Sequence, residues 1–107
     1  MISPAACILY TQDHDLVRRT KAFLRSLTNV RHVEEGERLA PVLHQHSPAL
    51  LLIDLRGKQS RDLLEQVQAE WTEVLIVALG TMRSEPLREA EHAGIYAAED
   101  LLSLIHI

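Results

Sequence analysis

The segment Pro48-Ala49-Leu50-Leu51-Leu52-Ile53-Asp54-Leu55 decides the fold of this chain. It is a continuous apolar run that ends in a carboxylate, and the polar residues 56–60 follow it directly. An uninterrupted run of this length is typical of a strand buried on both faces, as the central strands of parallel sheets are. Asp54 then lies at the carboxyl end of the strand, the edge where open α/β sheets collect their ligands. The alternative is that Asp54 only caps the strand or the next helix.

Length, composition and charge limit the kind of protein. The 107 residues are enough for one domain with a single core. The formal net charge of -4, without a cluster of Lys and Arg, argues against direct nucleic-acid binding. No apolar run approaches the roughly 18 residues of a membrane-spanning helix, and Met1-Ile2-Ser3-Pro4 lacks the basic start of a signal peptide, so the cytoplasm is the expected location. Cys7, the only cysteine, lies in an apolar run and is predicted to be a core residue.

Short apolar runs alternate with stretches of helical spacing along the chain. Besides 48–54, the predicted strands are 5–11, 30–33, 74–79 and 95–98, and the predicted helices are 15–27, 37–46, 60–71 and 84–93. Asp15 and Ser60 are predicted N-caps, and Ser84 with Pro86 opens the last helix. This alternation predicts an α/β fold, a parallel sheet of order 2-1-3-4-5 with helices on both faces.

The last six residues, Leu102-Ser103-Leu104-Ile105-His106-Ile107, look like the translation of a transposase adapter used to prepare sequencing libraries. We interpret 102–107 as such an artefact and 1–101 as the domain, at the start of a truncated longer regulator. A fifth helix would then be truncated. The alternative is a natural carboxyl terminus whose apolar residues begin that helix.

The order and spacing of these features resemble the receiver domain of two-component response regulators over essentially the whole chain. Ile8-Leu9-Tyr10-Thr11-Gln12-Asp13 resembles the first strand of that family with its two following acids, and Gly36-Glu37 resembles the start of the second helix. The run from Pro48 to Asp54 resembles the strand that leads to the phosphorylated aspartate. The resemblance implies a flavodoxin-like (CheY-like), doubly wound, five-stranded parallel sheet.

The resemblance also implies an acidic site. Asp54 corresponds to the phosphoacceptor, and Asp13 corresponds to the second of two acids that hold Mg²⁺ in the family. Gln12 stands in place of the first acid, and an amide is a weaker Mg²⁺ ligand than a carboxylate. A weakly held Mg²⁺ at Asp13 and Asp54 is therefore the cofactor that the resemblance implies.

Three signalling positions depart from the family pattern or match it only in part. Ala78 stands where the family has a hydroxyl residue, and Tyr96 matches the aromatic residue of the last strand. Glu99, or Ala98 with a small shift, stands where the family has a lysine. An aspartyl phosphate carries about two negative charges, so a missing cation near it disfavours the phosphorylated state. The pattern therefore favours a degenerate receiver, or pseudo-receiver.

Three hypotheses about function remain open. A pseudo-receiver of a bacterial two-component or phosphorelay system, which controls transcription or another output through protein contacts, is favoured. A working receiver phosphorylated at Asp54 with Mg²⁺ is the first alternative, and a small-ligand or enzyme domain on the same fold is the second. No nucleophile and base are paired on strand ends, so no enzyme is predicted. The expected partners are a downstream ATPase or DNA-binding effector domain, a histidine kinase and a second copy of the chain, without nucleic acid or membrane.

The hypotheses share one geometric prediction. If the sheet has the predicted order, the residues after the first, third and fourth strands meet at its carboxyl edge. We therefore expect Gln12, Asp13, Asp54 and Ala78 to lie in one pocket.

Overall fold

The computed structural model describes residues 7–26, 29–46, 50–57, 59–80, 84–93 and 95–98. Within these ranges five strands form one parallel sheet: β1 (Cys7–Tyr10), β2 (Val30–Val33), β3 (Leu50–Asp54), β4 (Leu75–Leu79) and β5 (Tyr96–Ala98). The strand order is β2-β1-β3-β4-β5. The order predicted from the sequence is 2-1-3-4-5. Strand β3 is therefore the central strand.

Four α-helices connect the strands: α1 (His14–Leu24), α2 (Leu39–His46), α3 (Ser60–Glu70) and α4 (Glu85–His92). A short 3₁₀ helix, Gly36–Arg38, leads into α2. The predicted α/β class, with a parallel sheet and four helices, is confirmed. None of the helices in the described ranges is long and apolar enough to cross a membrane.

The two faces of the sheet carry separate apolar clusters. On one face α1 contributes Leu16 and Val17 to a cluster with residues of β1, β3 and β4. On the other face α2, α3 and α4 contribute the buried residues Leu39, Leu43, Leu64, Val67, Leu87 and Ala90. Strand β3 supplies Leu52 to the first cluster and Leu51 and Ile53 to the second. Burial on both faces explains why the sequence of β3 is continuously apolar.

The predicted helix caps were right in one case and wrong in two. Ser84 caps α4, since its side chain accepts a hydrogen bond from the backbone of Leu87. Helix α1 is capped by Asp13 and not by Asp15, because the extended backbone at Asp13 lets its carboxylate reach two free N–H groups of the first turn. Ser60 is the first residue of α3, and its hydroxyl donates to the carbonyl of Asp54 at 2.6 Å.

Several sequence predictions fall outside the described residues. These are Pro48, Glu99, the interpretation of 102–107 and the truncation of a fifth helix. The backbones of Tyr96 and Ala98 belong to β5, but their side chains lie outside the description.

Candidate functional site

The two carboxylates singled out by the sequence lie at the same edge of the sheet. Asp54 is the last residue of β3, and Asp13 follows the neighbouring strand β1, whose Tyr10 pairs with Ile53. Since the strands are parallel, their carboxyl ends meet at this edge. The expectation that Asp13 and Asp54 are brought together is met in the described structure.

A single guanidinium joins these two carboxylates. Arg56, two residues after Asp54, places Nε 2.9 Å from Oδ1 of Asp54 and Nη2 2.9 Å from Oδ2 of the same carboxylate. The same Nη2 lies 3.0 Å from Oδ2 of Asp13. Planar, two-pronged pairing of guanidinium with carboxylate is among the strongest hydrogen-bonded ion pairs in proteins. Arg56 is therefore the cation of this acidic pocket.

The Asp54 carboxylate is almost fully enclosed, with 4% of the residue exposed. Besides the two bonds from the Arg56 side chain, Oδ2 accepts from Oγ1 of Thr11 at 2.6 Å, and Oδ1 accepts from the backbone N–H of Arg56 at 3.0 Å. Each oxygen thus accepts two hydrogen bonds. A carboxylate has about four such positions in all, so its accepting capacity is used within the chain.

The hydroxyl of Thr11 connects Asp54 and Asp13 through hydrogen bonds. Its fully buried hydroxyl donates to Asp54 and accepts a hydrogen bond from the backbone N–H of Asp13 at 3.0 Å. Its backbone carbonyl accepts a hydrogen bond from Nε2 of His32 at 2.7 Å. A hydroxyl that both donates and accepts fixes the two acids relative to each other.

These contacts decide the protonation states. Burial opposes the charged form of Asp54, but hydrogen bonds from Arg56 and Thr11 outweigh it, so the pKa of this carboxyl lies below its usual value. The backbone N–H of Leu16 and then the Arg56 guanidinium lower the pKa of Asp13. The hydrogen bond to Asp54 raises the pKa of Arg56. At neutral pH the site therefore holds two carboxylates and one guanidinium, all charged.

Gln12 lies at the rim of the site and ties two loops together. Its Nε2 donates to the backbone carbonyl of Glu34 at 2.8 Å, in the segment after β2. Its Oε1 faces Gly57, where an added Cβ would come within 2.8 Å of that oxygen. The absence of a side chain at Gly57 therefore leaves room for the Gln12 amide.

Ala78 does not join this group of polar side chains. It pairs with Ile53 in the register of β3 and β4, is fully buried and belongs to the larger apolar cluster. Asp54 pairs with Leu79, so its side chain lies on the opposite face of the sheet from that of Ala78. The prediction of one pocket therefore holds for the two acids, with Gln12 at the rim, and is wrong for Ala78.

In this arrangement the donor set does not fit Mg²⁺. Magnesium needs oxygen ligands around it, and the space between the two carboxylates is spanned by the Nη2 group of Arg56. Within the described residues no group of three or more His, Cys, Asp or Glu side chains is placed to hold a metal ion. A divalent cation at Asp13 and Asp54 would first require Arg56 to leave.

Arg56 and Thr11 are the two functional candidates that the sequence analysis did not identify. In the sequence Arg56 belongs to the polar segment 56–60, and Thr11 is the last residue of the predicted strand 5–11. A signal was present for the first of these. An Asp at a strand end followed two residues later by Arg allows the carboxylate to accept from both the backbone and the side chain of that Arg.

Comparison with solved structures identifies the fold. The N-terminal domain of the nisin resistance regulator NsrR, a lantibiotic response regulator, superposes with a TM-score of 0.78 over 95% of this chain and 92% of that chain, at 16% identity. The BeF₃-activated receiver domain of RstA from Klebsiella pneumoniae gives a TM-score of 0.74 over 86% and 81%, at 21% identity. This chain has the receiver fold.

A longer protein also contains this receiver fold. NtrX from Brucella abortus, solved in complex with ADP, matches with a TM-score of 0.77 at 15% identity, over 90% of this chain but 22% of that chain. No protein-family model and no curated protein sequence matches the chain. Identities this low establish the fold, and the chemistry of the receiver edge has to be judged from the residues of this chain.

Proposed function

We propose that this chain is a degenerate receiver domain of a two-component or phosphorelay regulator, which signals through protein contacts and not through phosphorylation of Asp54. The observation that carries the proposal is the bidentate pair of Arg56 with Asp54, extended to Asp13. The Arg56 guanidinium occupies the space in which a working phosphoacceptor site would bind a metal ion from solution.

The Asp54 carboxylate is not free to act as the attacking group. To accept a phosphoryl group, an oxygen of Asp54 must be free to approach the phosphorus atom. Both oxygens already accept two hydrogen bonds each, and 4% of the residue is exposed. Attack would require the Arg56 side chain to swing away, which would leave two neighbouring carboxylates without their counterion.

The charge of the site also disfavours phosphorylation of Asp54. Phosphorylation would replace the single negative charge of Asp54 with about two, in a site that already contains Asp13. The single positive charge of Arg56 is shared by two carboxylates before any phosphoryl group arrives. Among the described residues, no second cationic side chain contacts Asp54. The added charge would therefore be poorly compensated.

The fold supports an output through another domain. Receiver folds occur in proteins named as response regulators, and in NtrX the match covers a minor part of a longer chain. We propose that this domain acts in the cytoplasm, without enzymatic activity, on an attached or partner effector such as an ATPase or DNA-binding domain. A histidine kinase or a second copy of the chain would be recognised by its surface, whatever the state of Asp54.

The test is incubation with acetyl phosphate and Mg²⁺, with phosphorylation measured by mass spectrometry of the intact protein. Binding of beryllium trifluoride is measured in parallel. The unmodified domain should show neither a phosphorylated species nor tight binding. The double variant Gln12→Asp with Arg56→Ala, which supplies a carboxylate and removes the competing cation, should gain both Mg²⁺ affinity and phosphorylation.

The opposite result would support the alternative. Ready phosphorylation of the unmodified domain, abolished by Asp54→Asn, would mean that Arg56 yields to the phosphodonor and that this is a working receiver. Arg61→Ala is the control, because it removes an arginine of similar exposure that pairs with acids away from the site.

A further inference from the structure

A groove of about 330 Å³ lies between the 3₁₀ helix with α2 on one side and α3 on the other. Leu63 and Trp71 contribute apolar surface to it above the buried Leu39, and Gln66 and two acids, Glu37 and Asp62, line its exposed margin. Its size is in the lower part of the range for ligand sites. Because much of its lining is exposed, it is an open surface groove and not an enclosed cavity.

The charge of the groove has one sign. Glu37 and Asp62 are the charged residues among its described lining residues, and neither forms an ion pair within the described part of the chain. The nearby Glu35, by contrast, pairs with Arg38 at 3.6 Å. Uncompensated acids beside apolar surface complement a ligand that carries positive charge and an apolar group.

Trp71 gives the groove an anchor of the kind that protein interfaces use. It is half-buried at the end of α3, and its ring meets the ring of His44 edge to face, with centroids 5.0 Å apart. Tryptophan is enriched at the energetic centres of interfaces because a large, rigid ring gains contact area at low entropic cost. The ring is held in place by α2 while part of it faces the groove.

We propose that this groove binds a basic segment of a protein partner, with an aliphatic side chain against Trp71 and Leu63 and a Lys or Arg beside Glu37 and Asp62. A second copy of the chain would be a poor occupant, because a symmetric contact would place these acids against themselves. The proposal goes beyond the pseudo-receiver function, since it uses none of the residues around Asp54.

The probe is a library of random short peptides without Trp, displayed on phage and selected on the whole chain. Selected sequences should carry Lys or Arg next to Leu, Ile or Met. Trp71 is the only tryptophan of the chain, so binding of a synthesised selected peptide should change its fluorescence. Affinity should fall with rising salt, since exposed charges are screened.

Two variants test whether the selected peptide binds in the groove. Asp62→Lys should weaken the selected peptide at least about tenfold, because like charges then meet in the contact. Gln66→Lys adds a cation at the same margin without removing the acid from the first turn of α3, and it should act in the same direction. Glu91→Lys, an equal change of charge on the exposed side of α4, should leave affinity within about twofold.

The proposal is overturned if selection yields no peptides, or peptides without basic residues. It is also overturned if Glu91→Lys weakens binding as much as Asp62→Lys, because the attraction would then be unspecific. Retained affinity in both groove variants, or unchanged Trp71 fluorescence on binding, would place the contact elsewhere. None of these outcomes bears on phosphorylation of Asp54, so the two proposals fail independently.

Discussion

Arg56 and Asp54, two residues apart in sequence, form a bidentate ion pair in which Nε and Nη2 each lie 2.9 Å from a different oxygen of the carboxylate. The pair extends to Asp13, whose Oδ2 is 3.0 Å from the same Nη2. The site therefore carries its own counterion, supplied by the residue best suited to two-pronged recognition of a carboxylate.

Removal of the guanidinium should destabilise the domain at neutral pH. In Arg56→Ala the buried Asp54 and the neighbouring Asp13 remain without a counterion. We expect a loss of about 1–3 kcal/mol, below the cost of breaking a fully buried pair, because 46% of the Arg56 side chain is exposed. Urea unfolding at pH 7 measures it. Arg61→Ala, with 45% side-chain exposure and surface acids as partners, should change stability by no more than about 0.5 kcal/mol. Equal losses would show that the Arg56 pair is an ordinary surface contact.

The same cluster should give the domain a specific sensitivity to acid. The pKa values of Asp13 and Asp54 are lowered in the folded state, so their stabilising effect is complete above the unfolded value of about 3.9. It is lost as the pH falls through the folded values. Urea unfolding between neutral pH and about pH 3 should therefore show stability falling with pH, with a smaller fall in Asp54→Asn. If the unfolding free energy of Asp54→Asn fell with pH as steeply as that of the unmodified domain, Asp54 would not be a source of the acid sensitivity.

Loss of the Thr11 hydroxyl should destabilise the domain, because the hydroxyl is hydrogen-bonded to both acids of the site. Thr11→Val keeps the shape but removes the donor to Asp54 and the acceptor for the Asp13 backbone. We expect a loss of about 1–3 kcal/mol, since buried groups are left unsatisfied. Thr20→Val is a matched control, because the buried Thr20 hydroxyl donates to a carbonyl of its own helix. Its loss should be smaller, and a larger loss there would argue against a special role for Thr11.

The single cysteine should be unreactive in the folded protein. Cys7 is 1% exposed in β1, and burial raises the pKa of its thiol to about 11. The thiolate is the reactive form, so labelling by iodoacetamide at pH 8 should be slow in buffer and fast in urea. Fast labelling of the folded chain would mean that β1 opens readily. The rate therefore also reports on local opening of the sheet.

The class of fold can be predicted from the order of residues along the chain. Leu51, Leu52 and Ile53 are apolar on both sides of the strand because helices cover both faces of the sheet, and a continuous run records that burial directly. Local helix ends were harder to predict. Asp13 and Asp15 are both suitable caps in sequence, and the choice of Asp13 depends on where β1 ends in space.

The chemistry of the site depends on contacts that form only in the folded chain. Asp13 and Asp54 are distant in sequence, and the same edge of the sheet brings both within reach of Arg56. Spacing along the chain predicts that two strand ends meet, because strand period and crossover geometry are regular. It does not predict which neighbouring side chain fills the space between two carboxylates, since that depends on distances of a few tenths of an ångström. An arginine that appears in the sequence as part of a polar loop is, in the folded chain, the counterion of the site.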